Sequence, residues 1–274
     1  MLYGKSVLIT GASSGIGKAC AEYLKDQGYH VYGTSRHSNG SITKNDKNGG
    51  FLNMLRMDVQ KDEMVNEVVK YIVDREGTVD IAINCAGYGL AGAVEDTSPE
   101  EAMNEFNTNF FGVLRVCRAI LPYMRAKGNG LIINISSVAG FIAIPYQSMY
   151  SASKYALEAL SQAMRIEVKP FGIKVTLIEP GDTRTGFTSS RIWTKAAKGN
   201  TPYKERCQRA IEAMEKSEIN GPGPETVVKA IAKVIASKNP PIREVVGGEY
   251  KLIAFLRRIA PDRLIEYVVT KMYS

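Results

Sequence analysis

The chain has 274 residues, 45% of them hydrophobic and 23% charged, and a formal net charge of +7, a balance that suits one sizeable α/β unit with a solvated surface. Its Lys and Arg residues form no dense block, so an ordinary surface is expected and nucleic acid is not a predicted partner. Four scattered cysteines without a Cys-x-x-Cys pair, and only His30 and His37, argue against a disulfide scaffold, a metal site or a His-based triad.

Residues 5–10 form a short apolar run that ends in a glycine loop. They read as strand where a signal peptide would sit, and no apolar run approaches the roughly 20 residues that span a bilayer, so a cytoplasmic location is expected. Ile16, Ala19, Cys20, Tyr23 and Leu24 then keep the spacing of an amphipathic helix, which Gly28 stops. Strands are predicted over 30–35 and 54–59, followed by a helix carrying Val65, Val68, Val69, Ile72 and Val73. Further strands over 79–84 and 131–136 are separated by a long helix through 106–124, and a helix from about 149 to 168 leads into a strand over 173–179.

Strands alternating with helices of this length imply right-handed crossovers and a parallel sheet covered on both faces. The expected architecture is a single doubly wound α/β domain over 1–274. After Pro180 the segment 182–223 is polar and irregular apart from a helical stretch near 203–217, followed by a helix over 225–237 and an edge strand over 244–247. The tail, 249–274, carries two apolar stripes, Leu252, Ile253, Phe255, Leu256 and Ile259, then Leu264, Ile265, Val268 and Val269, split by Pro261 into two short helices.

Thr10-Gly11-Ala12-Ser13-Ser14-Gly15-Ile16-Gly17 stands between the first strand and the first helix. In that context Gly11 permits a tight turn, Gly15 lets backbone approach a pyrophosphate and Gly17 lets helix pack on sheet. The helix N-terminus adds unpaired N–H groups and the positive end of a dipole. The spacing Gly-x3-Gly-x-Gly resembles the loop of the short-chain dehydrogenase/reductase family, and the resemblance extends over roughly residues 5–184. It implies a Rossmann fold with a C-terminal helical extension, and a nicotinamide dinucleotide held by Gly11, Ser13, Ser14, Gly15, Ile16 and Gly17.

An NAD-specific site places an acidic residue at the end of the second strand to hold the ribose 2′-hydroxyl. Ser35 occupies that position here and Arg36 follows it. A guanidinium grips a 2′-phosphate with paired hydrogen bonds and Ser35 adds another, so NADP(H) is the expected cofactor. By resemblance, Asp58 and Val59 contact the adenine. Asn84-Cys85-Ala86-Gly87 is similar to the family's Asn-Asn-Ala-Gly motif with cysteine in place of the second asparagine, which assigns Asn84, Ala86 and Gly87 to the cofactor. Pro180, Gly181 and Thr183 resemble the segment that fixes the carboxamide end.

Tyr150-x3-Lys154 places a phenol and an ammonium on one helix face. A nearby ammonium favours the phenolate and lowers the tyrosine pKa from its usual value of roughly 10. The spacing alone is not specific, since Tyr123/Lys127 and Tyr267/Lys271 share it. In the family a serine precedes the tyrosine by thirteen residues; Tyr150 has Ser137 there, whereas Tyr123 has Phe110 and Tyr267 has Ala254. Ser136 is the competing neighbour of Ser137, and along a continuing strand the two side chains point to opposite faces. Asn109 matches the family's fourth catalytic position, where it holds a water that links Lys154 to solvent. The resemblance implies that Ser137 binds the substrate oxygen, that Tyr150 exchanges a proton with it, and that Lys154 also holds the nicotinamide ribose.

The substrate-pocket segment is expected over 185–222, with Phe187, Ile192, Trp193 and Tyr203, next to the apolar run from Phe141 to Tyr146. These groups suit a small hydrophobic alcohol or ketone, and the long C-terminal half resembles family members that act on steroids, retinoids or acyl lipids. A 3-oxoacyl thioester reductase and a non-catalytic NADPH-sensing protein are the alternatives. The basic tail stripes, with Lys251, Arg257, Arg258, Arg263 and Lys271, are expected to pack on their own domain or on a second subunit of a dimer or tetramer, in preference to a membrane surface.

Overall fold

Every residue of β1 (Ser6–Thr10) is buried, because the strand lies at the centre of a sheet covered on both faces. The computed structural model describes residues 1–273; Ser274, the last residue of the predicted tail, lies outside them. In chain order β1 is followed by α1 (Gly15–Asp26), β2 (His30–Ser35), β3 (Ser41–Asn45), β4 (Gly50–Arg56), α2 (Asp62–Glu76), β5 (Ile81–Asn84) and the short β6 (Leu90–Ala91). Then come α3 (Pro99–Phe106), α4 (Gly112–Lys127), β7 (Gly130–Ile135), α5 (Ser148–Glu167), β8 (Ile173–Pro180) and β9 (Ile192–Trp193). The chain continues through α6 (Lys204–Asn220), α7 (Glu225–Ile235), β10 (Arg243–Val246), α8 (Gly248–Ile259) and α9 (Asp262–Tyr273).

The main sheet has the order β10-β8-β7-β5-β1-β2-β4-β3. All its neighbours pair in parallel except β3, which runs antiparallel to β4. The strand period of two divides the core into two layers. Leu8, Ala82, Ile132, Val175 and Leu177 face α2, α4 and α5. Val7, Ile9, Ile81, Ile83, Leu131, Ile133 and Ile178 face α1 and α7. This is the mostly parallel, doubly wound Rossmann architecture.

Several elements differ from the sequence expectation, the unpredicted two-residue strands β6 and β9 among them. The strand expected over 54–59 is β4, which starts four residues earlier and ends at Arg56, leaving Asp58 and Val59 in the following loop. No strand was expected at β3, whose residues are almost all exposed; backbone pairing to β4 holds it, so no apolar period marks it. The long central helix is interrupted by one widened π-helical turn, Asn107–Phe111, between α3 and α4. Such turns are frequent at functional sites, and this one carries Asn109.

The two tail helices form as the Pro261 break predicts, but their apolar stripes do not settle on their own domain. Neither α8 nor α9 contains a buried residue, and Leu252, Phe255, Leu256, Ile259, Leu264 and Val268 are exposed. Contact with the body includes Tyr250, packed against Gly181, Lys251, paired with Glu244 of β10 at 3.2 Å, and Tyr273, packed against the cluster around α6. No helix among the described residues is long and apolar enough to cross a membrane.

Candidate active site

Parallel pairing brings the C-terminal ends of β1, β2, β4, β5, β7 and β8 to one edge, where open α/β sheets bind their ligands. A cavity of about 570 Å³ opens along that edge. The phosphate loop forms one wall, with Gly11, Ser13, Ser14, Gly15, Ile16 and Gly17 all lining it. Gly11 has φ 68°, and a Cβ there would meet the backbone of Ala86 at 2.9 Å. A Cβ on Gly17 would collide with the carbonyl oxygen of Gly11. The sequence expectation placed Gly17 against the sheet; it packs instead on its own loop. Ser14 caps α1 without a side-chain hydrogen bond, so the helix N-terminus faces the cavity with N–H groups to offer an anion.

Thr10 ties this loop to the next one. Its buried hydroxyl accepts the backbone N–H of Cys85 at 3.1 Å and of Ala86 at 3.0 Å. Cys85, Ala86 and Gly87 line the cavity, and burial pushes the Cys85 thiol up to about 12. Asn84 does not line it: its Nδ2 donates to Asn134 Oδ1 at 2.8 Å behind the wall. Ser35, Arg36, Asp58 and Val59 line the far end. Arg36 is exposed and forms no salt bridge among the described residues. Pro180, Gly181 and Thr183 close the opposite side. The cradle of small residues, the uncapped helix end and the free guanidinium fit a dinucleotide.

Ser137, Tyr150 and Lys154 meet at the middle of the cavity. β7 ends at Ile135, so the alternation expected for Ser136 and Ser137 no longer applies, and both residues line the wall. Ser137 starts a 3₁₀ turn and its Oγ accepts the N–H of Ala139 at 3.1 Å; the same hydroxyl is near enough to the Tyr150 phenol to lower its pKa. The turn before α5 is strained at Tyr146, with φ 61°, a region bulky side chains rarely adopt.

The electrostatics revise the sequence expectation for the pair. Burial raises the Tyr150 pKa well above its usual value; Ser137 and Arg191 lower it in part, while Glu105 and Glu218 raise it. Lys154 is close to the phenol but does not dominate its protonation. Its ammonium lies 5.7 Å from the tyrosine ring centroid and donates to the Ile135 carbonyl at 2.8 Å. Burial lowers Lys154 itself to about 8. Loss of solvation therefore outweighs the nearby charge for both groups.

Asn109 is buried behind the cavity, and its side chain is occupied. Nδ2 donates to Tyr88 O at 2.9 Å and to Ser153 Oγ at 3.1 Å, and Oδ1 accepts the Tyr88 N–H at 3.1 Å. Ser153 in turn donates to the Tyr150 carbonyl at 2.7 Å. Asn109 thus braces the 87–88 loop and α5.

The family model for short chain dehydrogenases matches residues 5–195. The chain belongs to the short-chain dehydrogenase family. A 3-ketodihydrosphingosine reductase of Bacteroides thetaiotaomicron is 44% identical over 269 residues, 98% of this chain and 97% of that protein. Retinol dehydrogenase 8 of Bos taurus is 33% identical across 94% of this chain and 86% of its own. The crystal structure of a short-chain dehydrogenase from Streptomyces avermitilis superposes with a TM-score of 0.80 at 32% identity, covering 98% of both chains. As a short-chain dehydrogenase the protein is an oxidoreductase acting on CH–OH or C=O groups. Its fold binds a nicotinamide cofactor and a small-molecule substrate.

Sequence reasoning missed four buried groups at this site. Thr10 was read only as part of the loop, and Gln147, Arg191 and Glu105 carry no motif. Glu105 is fully buried, accepts the Leu90 N–H at 3.0 Å and is pushed up to about 8 by burial. For Thr10 the consequence is measurable. Thr10→Val removes the partner of two part-buried N–H groups and is expected to lower stability by about 1 kcal/mol in denaturant unfolding. Thr10→Ser, which keeps the hydroxyl, should lose clearly less; equal losses would contradict the bridging role.

Proposed function

We propose that the chain is an NADPH-dependent reductase of the carbonyl group of a hydrophobic, lipid-like substrate, with Tyr150 as proton donor. The observation that carries this reading is the position of the Tyr150 phenol. It shares the cavity wall with Ser137 where the phosphate-binding wall meets an apolar pocket of Ile144, Phe187, Ile192, Met214 and Tyr273. The names of the Bacteroides and bovine relatives, which refer to a sphingoid ketone and to retinol, support the same class.

When bound, the nicotinamide supplies the hydride that reaches the carbonyl carbon. The phosphate loop and the uncapped end of α1 hold the pyrophosphate, and Ser35 and Arg36 hold the 2′-phosphate. Pro180, Gly181 and Thr183 border the nicotinamide end. Ser137 donates a hydrogen bond to the carbonyl oxygen and fixes it beside Tyr150. The raised pKa keeps Tyr150 protonated at neutral pH, so the phenol has a proton to give as negative charge develops on that oxygen. Lys154, held by the Ile135 carbonyl, is placed to anchor the ribose and to return the proton to the phenol. Asn109 acts as a positioning residue through Tyr88 and Ser153. The 185–222 segment supplies Phe187, Ile192 and Met214 to the substrate wall, and the Phe187 ring stands 5.5 Å from that of Tyr150.

Two variants test this. Tyr150→Phe should lower kcat for ketone reduction by about 100-fold or more, with NADPH binding by fluorescence unchanged; turnover near the wild-type rate would refute the proton-donor role. Arg36→Asp should reverse the preference between NADPH and NADH, read as the ratio of kcat/KM values, and an unchanged ratio would remove Arg36 from the cofactor site.

A further inference from the structure

The substrate end of the cavity carries a charge cluster that the chemistry above does not use. Arg191, just before β9, is almost fully buried, with its side chain 1% exposed. Its guanidinium pairs with Glu215 at 3.2 Å and with Glu218 at 2.5 Å, both on α6. In the amide orientation that satisfies hydrogen bonding, the Gln147 carbonyl oxygen accepts from Arg191 Nε at 2.7 Å. Every edge of the guanidinium is thereby turned toward protein groups, and Arg191 is not among the residues that line the cavity.

Glu218 is on the wall itself, beside Tyr150, Phe187, Met214 and Tyr273. One of its oxygens takes Arg191 and the other accepts the Thr188 hydroxyl at 2.6 Å. A carboxylate has about four lone-pair sites, so each oxygen keeps one to offer. One guanidinium against two carboxylates leaves the cluster with one negative charge. The other acidic group on this part of the wall, Asp182, is taken up on a single oxygen by the hydroxyls of Ser217 and Tyr250. The Glu218 charge is felt at the reacting phenol, whose pKa it raises.

A wall with this arrangement repels an anionic head group and attracts a cationic one. A buried arginine facing the cavity would have selected a carboxylate or phosphate; here the arginine is behind the wall and the carboxylate is in front. The apolar groups around it accept a hydrocarbon chain.

We propose that Glu218 is a specificity determinant whose carboxylate, held by Arg191 and Thr188, accepts a protonated amine that the substrate carries next to its reacting carbonyl. The inference rests on reading the cavity as the site of carbonyl reduction. It gives the substrate three parts: an apolar chain, a carbonyl at Tyr150 and Ser137, and a neighbouring ammonium at Glu218. Arg191 orients the carboxylate, and Glu215 balances Arg191 from outside the cavity.

The test compares kcat/KM for a long-chain 2-amino ketone with that for the same ketone lacking the amine, using NADPH and the intact chain. The wild-type protein should favour the amino ketone. Glu218→Gln should lower that preference by about tenfold or more, chiefly through KM for the amino ketone. Glu215→Gln also removes an Arg191 partner but lies off the wall, and should leave the preference within about threefold. A preference unchanged in Glu218→Gln, or reduced equally in Glu215→Gln, would show that the cluster only staples the loop to α6 and overturns the proposal. A measurement on the wild-type protein is independent of variant folding: a long-chain primary amine should inhibit at least about tenfold more tightly than the alcohol of the same chain length. Equal inhibition overturns the role of Glu218 while leaving ketone reduction standing. Absence of NADPH oxidation with either ketone overturns the reading of the cavity itself, and this inference with it.

Discussion

Parallel pairing of buried strands is the constraint on which everything else depends. Strands β1, β5 and β7 pair side by side, and every residue in them is buried. Each must therefore be followed by a crossover, and every loop that leaves a strand end emerges at the same edge. The phosphate loop, the 84–87 loop, the Ser137 turn and the Pro180–Gly181 bend thus converge although they are far apart in sequence. Thr10 converts this convergence into fixed geometry, since its hydroxyl bonds two N–H groups of the neighbouring loop. Gly11 lies so close to the same loop that a Cβ there would meet the Ala86 backbone at 2.9 Å.

The catalytic groups are buried by the same arrangement, and burial decides their protonation. For fully buried groups desolvation shifts a pKa by up to roughly 3–5 units, and in this cavity it outweighs the charge partners of both Tyr150 and Lys154. The phenol is held as an acid and the amine is drawn down to about 8. A site that keeps its phenol protonated and a lysine close to neutral pH is suited to delivering a proton to a carbonyl oxygen and replacing it. Ser137 and Arg191 moderate the phenol, and Glu105 and Glu218 oppose them; protonation at Tyr150 is thus linked to groups on α3, the 188–193 segment and α6.

Much of the fold was legible in the sequence because it is written in local periods and glycine positions. The buried strands read as short apolar runs, the helices as i, i+3, i+4 stripes, and the loop around Gly11 as the join between them. Where the signal is not local, legibility failed. β3 has only Ile42 as an apolar residue and is held chiefly by backbone pairing. The boundary of β4 slipped because Phe51 and Leu52 precede the run that was read as strand. The positions of Ser137, Tyr150 and Lys154 followed from spacing and resemblance, but their electrostatics did not, since burial is a property of the folded chain. Arg191, Glu105 and Gln147 are single polar residues whose partners lie 15 to 44 residues away or more. The tail stripes were legible as helices, yet their exposure depends on what the body offers them to pack against.

The central claim is hydride delivery to a substrate carbonyl at Tyr150. The most direct measurement uses NADPH doubly deuterated at the nicotinamide carbon that carries the hydride, incubated with the protein and a long-chain ketone, with the product read by mass spectrometry. The account predicts an alcohol with one deuterium on the former carbonyl carbon and a solvent-derived proton on its oxygen. No alcohol, or an alcohol without that deuterium, would contradict it.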